Sequence, residues 1–135
     1  MQTRRALAAF PAALAATAAL PSSGKATSWP ERPLRWLVGF PPGGAPDLLT
    51  RILAQRLEAE LGQPVVVENR PGAGGNLAAA ALARAAPDGL TFGTLFAATL
   101  AVNRHVYRSL PFDPRRDFAL ISEFARFPSA VMVHP

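Results

Sequence analysis

The sequence predicts an α/β fold made of parallel strand–helix–strand units. Three observations carry that expectation. Short apolar or β-branched runs end in turns rich in glycine and proline, and the segments between them place apolar residues at helical spacing. Both glycine-rich loops, Pro41–Asp47 and Asn69–Asn76, lie after a strand and before a helix.

The first 26 residues stand apart from that pattern. Arg4 and Arg5 form a basic start, Ala6–Leu20 is an Ala/Leu-rich run, and Gly24-Lys25-Ala26 supplies small residues at its exit. This is the layout of a secretory signal peptide, with only a faint twin-arginine character. The run is short for a membrane span and is interrupted by Pro11. Cleavage is expected to release a chain that is not itself inserted in a membrane.

Leu34–Phe40 reads as a buried strand closed by Pro41-Pro42-Gly43-Gly44. Pro46 and Asp47 suit the opening of a helix, whose apolar face is expected to hold Leu48, Leu49, Ile52, Leu53, Leu57 and Leu61. Gly62 fits its left-handed terminus, and Pro64 prevents continuation. Val65–Glu68 is then a second strand, Asn76 is placed to cap a helix over Leu77–Ala86, and Leu90–Leu95 reads as a third strand. Thr99 is placed to cap a shorter helix reaching Tyr107, and Phe118–Phe124 and Ala130–Val133 read as further strands.

Composition excludes several functions. The formal charge of +5 falls to +2 once Arg4, Arg5 and Lys25 leave with the leader, because eleven basic residues then face all nine acids. The remaining arginines are scattered rather than set in a basic stripe with aromatics, so nucleic acid is not an expected partner. With no cysteine, disulfides, thiolate nucleophiles and Cys-ligated metals are absent. His105 and His134 belong to no ligand pattern, so no metal and no cofactor are expected. No G-x-S-x-G occurs, the serines have no nucleophile context, and the chain does not read as an enzyme.

The two glycine loops carry the chemistry. A helix start offers unpaired N–H groups and the positive end of the helix dipole, both favourable to an anion. Gly43, Gly44, Gly72, Gly74 and Gly75 let backbone approach a ligand without an intervening Cβ. The plainer reading is that each loop only turns the chain from strand to helix. A phosphate loop is excluded because Gly44 is followed by Ala45-Pro46-Asp47 rather than Lys and Ser/Thr, and a dinucleotide fingerprint fails at Leu77. Asp47 has two expected roles that are not exclusive: it bonds backbone N–H groups at the helix start, and it accepts a hydrogen bond from a ligand hydroxyl, amino group or bridging water.

Taken together, Phe40-Pro41-Pro42-Gly43-Gly44-x-x-Asp47, Val65–Asn76 and Ala86-Pro87-Asp88-Gly89 closely resemble the Bug (TctC-like) family, the receptors of tripartite tricarboxylate transporters. Asn103-x-x-x-Tyr107 and Leu110–Phe118 are similar to the same family, so the likeness runs over nearly all of Trp29–Pro135. The resemblance implies one lobe of a type II periplasmic-binding-protein clamshell that binds a small carboxylate and delivers it to membrane permease subunits. It carries ligand-binding roles onto Pro42, Gly43, Gly44, Asp47, Gly72, Ala73, Gly74 and Gly75, and more weakly onto Thr99. Pro46 departs from the family's usual Ser/Thr, and Ala98 and Arg104 from its Gly and Pro.

The expected organisation is a leader over residues 1–26, the N-terminal part of lobe 1 over 27–125, and the start of a crossover over 126–135. The second lobe lies beyond Pro135 on this reading, which makes a truncated receptor the expectation. A non-functional remnant, a ligand-presenting partner of a sensor kinase, and an α/β enzyme are the alternatives.

Overall fold

A computed structural model describes residues 29–128 and 130–134; the expected leader, residues 1–26, lies outside them. Strand β1 (Leu34–Val38) is central in a three-stranded parallel sheet, with β2 (Val65–Asn69) on one side and β3 (Thr91–Thr94) on the other. Leu34 pairs with Val65 and Val38 with Asn69 across one ladder, while Arg35 pairs with Thr91 and Val38 with Thr94 across the other.

Alternation along the strands sorts the two faces. Leu34, Trp36 and Val38 share a core with Val65, Leu90 and Ala54 of helix α1 (Ala45–Leu61). On the opposite face, an ideal Cβ on Gly93 would meet Leu37 and Leu82, and one on Gly39 would meet Ala78. Leu82 and Ala78 belong to helix α2 (Asn76–Ala83). The two helices therefore cover opposite faces of the sheet, and the order β2-β1-β3 reverses at β1.

Helix α1 begins at Ala45, one residue before the expected Pro46, and ends in a left-handed Gly62 whose N–H reaches the Glu58 carbonyl at 3.0 Å. Its inward face is rotated from the one expected. Asp47, Thr50 and Ala54 are buried, Leu53, Leu57 and Leu61 pack beside them, and Leu48 and Ile52 are more than half exposed. A polar chain accounts for the rotation. Trp36 Nε1 donates to Thr94 Oγ1 (2.9 Å), which lies 3.0 Å from Thr50 Oγ1, and the Thr50 hydroxyl also reaches the Pro46 carbonyl at 2.7 Å. These bonds seat the small Thr50 face against the sheet and satisfy each buried hydroxyl.

Other expectations are corrected as well. Helix α2 stops at Ala83, three residues short of Ala86, and β3 spans Thr91–Thr94 rather than Leu90–Leu95. Asn76 does not cap α2: the position before it is a left-handed Gly75, and the Asn76 side chain is turned inward. In place of a regular third helix, Ala98–Val102 forms a wide π-type turn that continues into α3 (Asn103–Val106), so Thr99 lies inside the turn. Phe118–Phe124 and Ala130–Val133 form no strand. A strand requires a partner ladder, and among the described residues the sheet has three strands, none of which includes these segments. Phe118 instead packs on Phe112 at 5.6 Å, and Phe124 approaches Trp36 at 6.4 Å. Among the described residues no helix is long and apolar enough to cross a membrane.

Candidate functional site

In a parallel sheet the strand-to-helix loops gather at the carboxyl edge, and a reversal of strand order opens a crevice there. The first loop leaves β1, the second leaves β2, and the segment after β3 joins them. Their approach is close. A Cβ on Gly39 would lie 3.1 Å from the Gly75 Cα, and one on Gly75 would lie 2.8 Å from Thr99 Oγ1. Only glycine fits at both positions without a shift.

The first loop is organised by Asp47. Asp47 is 2% exposed, and its carboxylate accepts from Gly43 N (2.8 Å), Asn69 Nδ2 (2.8 Å) and Arg51 Nε (3.1 Å to each oxygen). The Arg51 bond, then those from Gly43 and Asn69, hold the Asp47 carboxyl at about 2, well below its ordinary value. Asp47 thus bonds a backbone N–H near the helix start, as the plainer of its two expected roles required, and Arg51 neutralises it beside the loop. Asn69 ties this network to the second loop: its amide nitrogen also donates to the Phe40 carbonyl (3.1 Å), and its oxygen accepts from Arg51 Nη2 (3.0 Å). Pro42, Gly43 and Gly44 remain exposed at the rim. Leu48 N closes on Gly44 O (3.0 Å), so the N–H groups of Ala45 and Asp47 precede the helical ladder, and Pro46 has none.

The second loop is a left-handed turn. Ala73, Gly74 and Gly75 have φ of 48°, 62° and 86°; Gly75 N bonds Gly72 O (3.0 Å), and Asn76 N bonds Ala73 O. These are two overlapping turns of the type that needs positive φ at both central residues. Because Gly72 O and Ala73 O accept within the turn, the planar trans peptides direct the Ala73 and Gly74 N–H groups away from those acceptors. Gly72, Ala73 and Gly74 are exposed and Gly75 is buried. Thr99, expected at the third loop, is fully buried, and its hydroxyl donates to the Gly74 carbonyl at 2.9 Å.

The structure thus brings Pro42, Gly43, Gly44, Gly72, Ala73 and Gly74 to one rim, with Asp47, Gly75 and Thr99 directly beneath. Sequence reasoning missed Arg51, Asn69 and Asn103 as parts of the site. Arg51 is one of the arginines that read as scattered in the sequence. Asn69 and Asn103 lay within motifs quoted for resemblance, where side-chain partners are not legible. A concavity of about 260 Å³ lined by Trp29, Glu31, Arg32, Asp88 and Leu90 opens at the opposite, amino edge. There the 2.6 Å pair of Arg32 with Asp88 already balances its own charge.

A parallel sheet whose strand order reverses, with two glycine loops at its carboxyl edge, is the architecture of an α/β lobe whose sheet edge is open to a ligand. The chain belongs to the tripartite tricarboxylate transporter receptor family (TctC), whose profile matches residues 49–135. It is 39% identical over 121 residues to protein BugT of Bordetella pertussis, covering 89% of this chain and 37% of that one. Among solved structures it is similar to a Rhodopseudomonas palustris protein determined with adipate (41% identity, TM-score 0.62, 64% of this chain and 29% of the other). It is likewise similar to MatC from Rhodopseudomonas palustris with bound malate (37% identity, TM-score 0.63, 67% and 31%). The chain spans between 28% and 39% of the length of the curated relatives it matches.

Proposed function

We propose that this chain supplies the carboxylate-gripping part of a periplasmic solute-binding receptor, working by binding rather than catalysis. The observation that carries the reading is the pairing of two loops at one sheet edge. The first turn of α1 presents backbone N–H groups beside Asp47, whose charge Arg51 already balances, and Asn69 links that carboxyl to the loop that carries the left-handed turn at Gly72–Gly75. An incoming carboxylate meets donors without a competing free negative charge. Charge-assisted hydrogen bonds of this kind contribute about 1.5–3 kcal/mol each, so a few of them dominate recognition of a small acid.

Pro42, Gly43, Gly44, Gly72, Ala73 and Gly74 form the contact rim in this proposal, while Asp47, Gly75 and Thr99 hold it in shape. The adipate and malate bound by the two similar structures support a dicarboxylate as the first acid to test. The leader-like residues 1–26 and the family support a periplasmic location, with permease subunits as the receiving partners. Calorimetric titration with malate and adipate tests the proposal, using Gly74→Val as the site variant. Gly74 has φ +62°, and its Cβ would lie 3.2 Å from Asn103 Nδ2, so valine distorts the turn. Loss of binding with the overall circular dichroism retained is expected; unchanged affinity refutes the two-loop grip.

A further inference from the structure

The geometry points to Asn103 as the positioning residue of the second loop, holding the turn in the left-handed form that aims its outward N–H groups; the inference rests on the carboxylate reading above. Asn103 is 8% exposed and opens α3, on a segment that follows β3 rather than β2. Its Nδ2 donates to the Gly74 carbonyl (3.1 Å) and to Asn76 Oδ1 (2.7 Å). The acceptor at Gly74 is a backbone carbonyl, so the amide end facing it is the NH₂.

Three features make this more than a packing contact. The Gly74 carbonyl has a second donor, Thr99 Oγ1, at 2.9 Å, so two side chains from one π-type turn and the helix after it converge on one peptide oxygen. That peptide's N–H belongs to Gly75 and is taken up by Gly72 O, which fixes both ends of the peptide plane. Once that plane is fixed, the preceding peptides close the overlapping turns, and the Ala73 and Gly74 N–H groups are left facing out. Asn103 touches Asn76 as well, so it also joins the loop to the first residue of α2. It contacts no ligand in this account and acts through Gly74.

The test compares the full chain with Asn103→Leu, which keeps a side chain of similar size and removes the donors. Thr99→Val is the milder variant, removing one of the two donors to Gly74. Val65→Ala, in the core at the far end of β2, serves as the control for lowered stability alone. Two readouts are taken. The first is the dissociation constant for malate and adipate, measured well below each melting temperature. Asn103→Leu is expected to weaken binding by at least ~10-fold, Thr99→Val by less, and Val65→Ala hardly at all. The second is the strong intraresidue NOE between Hα and HN of Ala73 that marks positive φ. It is expected to fade in Asn103→Leu and persist in Val65→Ala. A persisting Ala73 signature in Asn103→Leu, or affinity lowered no more than by Val65→Ala, overturns the positioning role. If the wild-type chain binds neither acid, the carboxylate reading fails, and the Ala73 signature alone decides the role of Asn103. If Asn103→Leu does not fold, Asn103→Asp, which keeps the shape and removes the Nδ2 donors, decides by the same two readouts.

Discussion

Replacing Asp47 by asparagine isolates the charge beneath the first loop. The shape is retained, but an amide offers one acceptor and one donor where the carboxylate accepts from Gly43, Asn69 and Arg51. A carboxyl held at about 2 instead of its ordinary 3.8 stabilises the fold by about 2 kcal/mol at most. Arg51 is 46% exposed and Gly43 lies at the rim, so solvent screening brings the expected loss in Asp47→Asn to about 1–2 kcal/mol near neutral pH. For a domain of this size that is roughly 5–10 °C in melting temperature. The sign of the pH dependence follows from a depressed carboxyl. Its stabilisation is fully present above the ordinary value and is lost as pH falls through about 2. Urea unfolding of wild type and Asp47→Asn, followed from about pH 7 down to about pH 2, should show a gap that closes over the last two pH units. Equal stability near pH 7, or a gap of the same size near pH 2, refutes the assignment.

Two further outcomes follow from backbone and packing. Ala73 is the one non-glycine residue with positive φ among those described, so Ala73→Gly relieves strain and should raise stability by about 1 kcal/mol, read from thermal unfolding. A fall in melting temperature contradicts the left-handed geometry. Ile52 is 58% exposed on α1, so Ile52→Lys should change stability by no more than about 0.5 kcal/mol. A loss of about 2 kcal/mol or more instead restores the face that apolar periodicity alone assigns.

That contrast shows what was legible in the residues. The strand–loop–helix order, the termination of α1 at Gly62 and the gathering of both glycine loops at one edge follow from apolar runs and turn residues. Rotation of α1 was not legible, because Leu48 and Ile52 have the right periodicity and nothing local shows that Thr50 bonds Thr94 across 44 positions. The capping roles of Asn76 and Thr99 failed for a related reason. Both are good local cap residues, but Asn76 meets Asn103 and Thr99 meets Gly74, contacts 27 and 25 positions distant. Phe118–Phe124 has strand-like composition, and composition cannot supply a ladder. At the site, backbone donors announce themselves through glycine, whereas Asn69 and Asn103 act through partners that only the fold brings near.

The second loop holds its left-handed turn through its own two backbone bonds and the side chains beneath it. If the loop takes up a carboxylate as proposed, donors fixed in this way need little reordering on capture, which lowers the entropic cost of binding. On the same reading, a turn braced from beneath would favour an acid with an unhindered carboxylate over one that carries a bulky substituent beside it.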